Sequence, residues 1–408
     1  MAKALEHLKI LDLSRILAGP WATQVFADMG AEVIKVERPK IGDDTRAWGP
    51  PFLKDADGNI TNDSSYFLSA NRSKKSVTID IATPEGQNLV RELAKTADVL
   101  VENYKVGTLK RYGLDYASIA EVNPRIVYCS ITGFGQSGPY APQPGYDFVF
   151  QGMGGLMSIT GQPDGTPGDE PMKVGIAISD LLTGMYSATA ILAALEHRRE
   201  SGKGQYIDMA LLDCVSAISS YQAINYFLSG KTPRRMGNAH SNMVPYQVFR
   251  CKQGDIICAV GNDTQYRDLC VKVFNRPDLA EDERFIKVSG RLENRDALVP
   301  VVAEIFKTKT MHEWMALMEA ANVPCGPIYT IPEMFEDPQV KHRGTQLTLK
   351  HSVGVDAPGV ANPFKFSETP VVYEKSAPLL GEHTDATLQQ ELGLTAEQIQ
   401  GLRDRGVI

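Results

Sequence analysis

Apolar positions in the first half of the chain fall into short continuous runs, separated by longer stretches in which they occupy one helical face. Leu8–Leu13 reads as a buried strand, and Ala18-Gly19-Pro20 then opens a helix that ends at Gly30. Proline fits a first turn because its φ is already helical, and glycine fits the exit because it tolerates positive φ. Ala31–Val36 is a second strand and Ser76–Ile81 a third. Thr83-Pro84-Glu85 starts a helix with Leu89, Val90, Leu93 and Ala94 on one face, and Asp98–Glu102 and Arg125–Ile131 are further strands. This alternation predicts an α/β domain with a mostly parallel sheet. A long helix over about Leu181–Glu200 stops at Ser201-Gly202-Lys203-Gly204, and Gln205–Leu211 and a helix over Leu212–Phe227 follow. After Gly230 the texture changes. Tyr246–Arg250, Gly254 and Ile256–Val260 predict a hairpin, helical segments continue to Ala321, and Pro/Gly-rich loops with short strands lead to a helical tail around Thr384–Arg405. These features predict a smaller α+β domain after the first, with no internal repeat.

Composition narrows the picture only slightly. A chain of 408 residues, 43% hydrophobic and 22% charged, has room for a large core and more than one domain. Its net charge of −7 argues against a nucleic-acid partner. Uninterrupted apolar stretches such as Ala190–Leu195 fall short of the ~20 residues of a membrane span, and the N-terminus has no basic-then-apolar signal pattern. The six cysteines form no Cys-x-x-Cys pair and the seven histidines no His-Glu-x-x-His spacing. These absences argue for a reduced, cytoplasmic protein without a metal site.

Two segments invite a chemical reading. Gly133-Phe134-Gly135-Gln136-Ser137-Gly138 matches the dinucleotide fingerprint letter for letter, but that site needs a helix to begin there. Pro139, Pro142 and Pro144 forbid one, so the segment predicts a turn-rich ligand loop. The second segment is Val174–Gly184, in which Asp180 follows a strand-like run and precedes the long helix. Its position predicts a helix cap at the least.

Several segments together resemble the family III CoA-transferases, the group of formyl-CoA:oxalate and carnitine CoA-transferases. They are Leu11–Pro20, Gly30–Arg38, Gly42–Arg46, Asn71–Ser76, Val101–Tyr104, Gly145-Tyr146-Asp147, the Asp180 segment, Pro324–Pro327 and Leu379–Thr384, in the family's order. Asp43–Phe52, with Gly237–His240 leading into Val244–Gln247, resembles the succinyl-CoA:glutarate branch. The resemblance implies a large Rossmann-like domain built from both chain ends, a small α+β domain, and a homodimer of interlocked rings. On this basis residues 1–200 form the N-terminal part of the large domain, 201–229 a linker helix region, 230–325 the small domain, and 326–408 the return.

The resemblance also assigns roles. Asp180 takes the position of the nucleophile, ionised at neutral pH by its ordinary pKa of ~3.9 and therefore in need of no general base. It attacks an acyl-CoA, giving an aspartyl anhydride and then an aspartyl-CoA thioester. Coenzyme A enters as the acyl-CoA co-substrate, with no permanently bound cofactor and no ATP. Arg15, Ala18, Arg38, Ile79, Asn103, Lys105, Arg111 and Asp147 are the implied CoA-binding residues, with Asp147 also placed to influence Asp180. Lys74 and Lys75 read more simply as a solvated turn. Formyl-CoA transferases carry a glycine run in a mobile small-domain loop, whereas this chain has Gly237-Asn238-Ala239-His240. That departure argues against formate and oxalate, and points to His240, with Arg46 or Arg15, as binding the distal carboxylate of a dicarboxylic acid.

The expected activity is CoA transfer from succinyl-CoA to a C4–C6 dicarboxylate such as glutarate. Intramolecular CoA transfer needs the same nucleophile. A 2-methylacyl-CoA racemase needs a histidine where this chain has Tyr146, and tyrosine, with a pKa of ~10, is a poor base. A non-catalytic acyl-CoA-binding protein has no need of Asp180.

Overall fold

The computed structural model describes residues 2–408 and divides into two compact units. The first comprises the chain up to Leu156, Lys173–Leu228 and Lys341–Ile408, and the second Met157–Met172 with Ser229–Val340.

In the first unit, six strands form one parallel sheet: β1 (Lys9–Asp12), β2 (Glu32–Glu37), β3 (Lys75–Thr78), β4 (Val99–Glu102), β5 (Val127–Thr132) and β6 (Gln205–Ala210). Their spatial order is β3-β2-β1-β4-β5-β6. The winding direction reverses between β1 and β4, which opens a crevice at the carboxyl ends of those two strands. Both faces of the sheet are covered, so its strands read as continuous apolar runs. Leu11, Ile34 and Leu100 point into one core together with Leu89, Val90 and Leu93. Ile10, Val33, Val99 and Val101 point into the other, with Val25 and Phe26 of helix Ala18–Asp28 and Ile191 of helix Ile178–Ser201. The tail helices Thr384–Leu392 and Ala396–Asp404 add Leu388, Ile399 and Leu402 to the first core, so both ends of the chain complete this unit.

The second unit has an antiparallel sheet of Tyr246–Arg250, Asp255–Ala259 and Cys325–Gly326. The expected hairpin is present, closed by Cys251 N–H donating to the Gly254 carbonyl at 3.0 Å, with Gly254 at φ +81°. An aromatic stack fills the core beneath it, with Phe249 and Phe306 ring centres 4.9 Å apart.

Three boundaries differ from the sequence expectation. Residues 201–229 contain β6, which pairs along its length with β5, and a helix that buries Leu211 and Val215, so most of this segment is sheet and core, not linker. Cys325–Gly326 still belongs to the small sheet, and the return to the first unit comes at Lys341 instead of 326. Met157–Met172 joins the second unit, where the Gly161 carbonyl accepts from Gly237 N–H at 3.0 Å and Arg235 pairs with Asp164.

Helix Ile178–Ser201 is, by length and composition, apolar enough to cross a membrane, which a count of uninterrupted apolar runs does not reveal. Here it is a layer helix, with half of its most apolar window buried inside the protein. Near one end, Gly184 meets helix Ala18–Asp28 so closely that a Cβ there would lie 2.7 Å from the Ala18 carbonyl oxygen. At the other end, Arg198 bonds the Asp98 carboxylate at 2.8 Å and the Asp98 and Arg125 carbonyls at 3.2 and 3.3 Å.

Alanine normally gains up to about 1 kcal/mol over glycine inside a helix. At Gly184 the neighbour is backbone and cannot step aside, so overpacking at a cost of about 1–3 kcal/mol outweighs that gain. Gly184→Ala is therefore expected to lower the thermal midpoint, whereas Gly175→Ala, where a Cβ meets nothing within 4 Å, leaves it unchanged. Equal midpoints for the two variants would refute the close approach.

Candidate active site

The loops after β1 and β4 meet at the crevice, and one side chain ties them together. Asn103 Oδ1 accepts from Arg15 N–H at 2.8 Å, and Asn103 Nδ2 donates to the Arg15 carbonyl at 2.6 Å. The next residue, Ile16, sits at φ +72°, a left-handed conformation that costs a β-branched residue roughly 1–2 kcal/mol. Its N–H donates to Asp43 Oδ1 at 3.2 Å, one of the bonds that hold it there.

Two cavities of about 190 Å³ each flank this junction, and Arg15 and Tyr104 line both. Ala18, Asn103, Lys105 and Asp180 line the first, and Arg38 and Ile79 the second. The Arg15 guanidinium lies 5.2 Å from the centre of the Tyr104 ring and 3.0 Å from Asp44, while its Nε is buried without a partner. Asp44 also approaches Arg38, at 3.8 Å, so one carboxylate orients an arginine of each cavity. Six of the eight residues expected to bind CoA thus lie along a continuous path leading to Asp180. Arg111 is exposed and lines neither cavity, and Asp147 lines neither.

Asp180 lies in the first turn of helix Ile178–Ser201 and is 8% exposed. The expected strand before it is absent, the helix starts two residues ahead of it, and Ala177 is the cap position. Asp180 therefore does not cap the helix. That role falls to Asp147, at the start of helix Asp147–Met153, whose Oδ1 accepts from Ser179 N–H at 2.7 Å. Asp147 was expected to contact CoA; its carboxylate is instead spent on this helix and on Gln151. Gln151 is buried and donates to Asp147 Oδ2 at 2.7 Å and to the Ile176 carbonyl at 3.3 Å, and its Oε1 accepts from Val174 N–H at 2.8 Å. Relieved of capping, the Asp180 carboxylate faces the cavity.

Burial first, and the neighbouring Asp147 charge second, push the Asp180 pKa up to about 7. The helix amino terminus works against that rise but does not cancel it. The carboxyl is thus partly protonated near neutral pH, where the sequence alone implied full ionisation. Tyr66, on helix Ser65–Ala70, is pushed up to about 12 by burial and by the charges of Asp180 and Asp147, and its ring packs edge-on to Trp48 at 5.2 Å.

Other expectations change. Arg46 is 4% exposed: Nε and Nη2 bond Glu37 at 2.8 Å each, Nη2 also bonds the Pro378 carbonyl at 3.1 Å, Nη1 bonds Asp63 at 2.6 Å, and the guanidinium lies 3.7 Å from the Phe67 ring centre. Two carboxylates already neutralise it and burial closes it off from a substrate carboxylate. Lys74 is no solvated turn but a buried partner of Asp12 at 3.1 Å, and Lys75 pairs with Glu32. The Gly133–Gly138 segment forms turns without a helix, and Gly133 lines the first cavity. Gly237, Asn238 and His240 belong to the second unit. There His240 Nδ1 accepts from Asn242 N–H at 3.0 Å, and burial, then Arg295, lowers its pKa. Sequence reasoning missed Gln151 and Ser179. The first is four residues beyond Asp147, one helical turn away, and the second adjoins Asp180; Tyr66 and Trp48 left no local signal.

A sequence model of CoA-transferase family III matches residues 5–384. The chain is 49% identical over 95% of its length to the succinate–glutarate CoA-transferase of Agrobacterium fabrum, covering 95% of that protein. It is 42% identical over its whole length to the human succinyl-CoA:glutarate CoA-transferase, covering 90% of that protein. A crystal structure of a CAIB/BAIF family protein from Brucella suis superposes with a TM-score of 0.83 at 47% identity, covering 96% of this chain and all of that one.

Because the native Asp180 carboxyl titrates near 7 and an unfolded one near 3.8, the native state alone retains this proton between those values. Stability from this group is therefore present at pH 4 and lost as pH rises through about 7. Asp180→Asn lacks the penalty. It is expected to be more stable than the parent at pH 8, by on the order of a few kcal/mol, with the gap closing by about pH 4. Coincident denaturation midpoints at pH 8 would mean that the carboxylate is solvated.

Proposed function

The chain belongs to CoA-transferase family III, and from that membership we propose that it moves CoA from succinyl-CoA to a C4–C6 dicarboxylic acid such as glutarate, with Asp180 as the covalent carrier. The observation that carries the mechanism is a buried carboxylate with no cation partner among the described residues, lining the same cavity as Arg15 and Asn103.

The Asp180 carboxylate attacks the thioester carbonyl, the C–S bond breaks, and a mixed anhydride and CoA thiolate form. The thiolate attacks the Asp180 carbonyl of the anhydride, releasing succinate and leaving an aspartyl-CoA thioester. The acceptor carboxylate then attacks that thioester, forming a second anhydride and CoA thiolate. The thiolate finally takes the acceptor's acyl carbon, and Asp180 is freed. One thioester replaces another, so no phosphoryl donor is consumed. Burial makes Asp180 more basic than an exposed carboxylate and hence a stronger nucleophile once ionised. Arg38 and Arg15 supply positive charge along the path for the CoA phosphates. Arg15 lines both cavities, so its guanidinium is a positive charge that an incoming anionic group meets. With Arg46 withdrawn from the site, Arg15 is the basic residue left at the cavity for the distal carboxylate.

We also assign the protein a homodimeric, interlocked assembly. Supporting this is an apolar surface that a lone chain leaves in water: Tyr146, Phe148, Ile176, Phe227 and Leu228 are all more than half exposed. Six cysteines without disulfides suit a reducing, cytoplasmic compartment.

Purified protein given succinyl-CoA and glutarate is expected to yield glutaryl-CoA and succinate without ATP, read by mass spectrometry, with malate accepted less well and oxalate and carnitine not at all. Asp180→Ala is expected to lose roughly 10³-fold or more of the rate, and hydroxylamine should trap Asp180 only in the parent. Transfer by the variant within tenfold of the parent would remove the covalent role. Exchange of label between succinyl-CoA and succinate without any new acceptor thioester would keep the nucleophile and discard the acceptor assignment.

A further inference from the structure

A larger chamber, of about 290 Å³, opens beside the loop after β4, and the transfer chemistry makes no use of it. Its inner wall carries Glu102, the last residue of β4 and only 5% exposed. One Glu102 carboxylate oxygen accepts from Ser130 Oγ and the other from Tyr104 N–H at 2.8 Å. No basic side chain pairs with it among the described residues, and burial pushes its pKa up to about 7. Around it stand the rings of Tyr116, Tyr128 and Tyr206, with centres 5.4–6.0 Å apart in a mutually packed triad. Lys105 and Lys110, both exposed, also line the chamber.

A buried carboxylate without a counter-ion, enclosed by tyrosine rings, is suited to an organic ammonium group: the carboxylate supplies charge and the ring faces supply cation–π attraction. The two lysines oppose a purely cationic ligand and favour one that carries an anionic group at its far end. We propose that this chamber is a second binding site for a small zwitterion, with its ammonium group at Glu102 among the tyrosines and its carboxylate at Lys105 and Lys110. Tyr104 and Lys105 line the catalytic cavity as well, so an occupied chamber shares part of its wall with the acyl-CoA path.

The test uses 5-aminopentanoate as the probe, titrated calorimetrically into the full-length protein, with glutarate as the competitor that has carboxylates but no ammonium. Binding is expected in the parent and, unchanged, in Asp180→Asn, with no displacement by glutarate. Glu102→Gln is expected to weaken it by at least about tenfold. Tyr206→Leu removes a partly exposed wall of the cage without stranding a buried polar atom, and keeps the test alive if Glu102→Gln does not fold. It is expected to weaken the probe at least about fivefold while still unfolding in one cooperative transition, the midpoint lowered only by the loss of two ring contacts. Absence of binding up to about 10 mM, loss of binding in Asp180→Asn, displacement by glutarate, or unaltered affinity in folded Glu102→Gln or Tyr206→Leu would each overturn the proposal.

Discussion

The loop after β1 rests on a chain of buried charges beneath the carboxyl ends of β1, β2 and β3. Asp12 is wholly buried and accepts from Ser14 N–H at 2.9 Å, Thr23 Oγ1 at 2.6 Å and Lys74 Nζ at 3.1 Å. Lys35 Nζ donates to the Ser14 carbonyl at 2.9 Å and to Asp43 at 2.8 Å, and Glu37 accepts from Asp43 N–H at 2.9 Å and from Arg46. Burial alone would neutralise Asp12, but Lys74 and Lys35 outweigh it and hold the pKa below its usual value. Such a network adds little net stability over an apolar core of the same shape, and breaking one member strands the others. What it provides here is position. Ser14, Ile16 and the start of the β1 loop hang from it, and the left-handed Ile16 persists because Asp43 and Asn103 over-determine its neighbours.

The Asp180 carboxylate is held by a separate arrangement. Gly184 sets the depth of its helix, Arg198 fixes the far end, and Asp147 caps the near end through Ser179. Capping by a residue on another helix leaves the Asp180 carboxylate uncommitted while placing a second negative charge beside it. A carboxylate that capped its own helix would be better solvated by amides and less reactive. The cost is a group that burial and Asp147 drive towards protonation.

Much of the fold was legible locally. Pro20 and Gly30 bracket the first helix, the strand runs mark the parallel sheet, and Gly254 turns the hairpin of the small unit; each is a short-range signal with a short-range cause. The resemblance of whole segments singled out Asp180 and six further residues that the fold brings to the two cavities around Arg15. What failed were statements about partners. Arg46 and Lys74 look like ordinary surface cations until Glu37 and Asp63, 9 and 17 residues from Arg46, and Asp12, 62 residues from Lys74, are brought against them. The helix start was misjudged because Val174–Ile178 is apolar enough for a strand, whereas Gln151 holds it as an irregular lead-in. The role of Asp147 depends on a contact 32 residues along the chain, which no local pattern encodes.

The two arrangements meet at a single place, and that limits how the protein can vary. The β1 loop must stay fixed so that Arg15 faces both cavities, and the nucleophile helix must keep Gly184 against Ala18, which closes the same loop from the other side. A larger residue at Gly184 and a lost charge in the buried network therefore converge on one outcome, displacement of Asp180 relative to the Arg15–Asn103 clasp. Variation in the acid accepted has to arise elsewhere, on side chains that neither the network nor the helix contact recruits. Arg46 is barred from that task by its two carboxylates, whereas Arg15, tethered by Asp44, is held where its side chain lines both cavities.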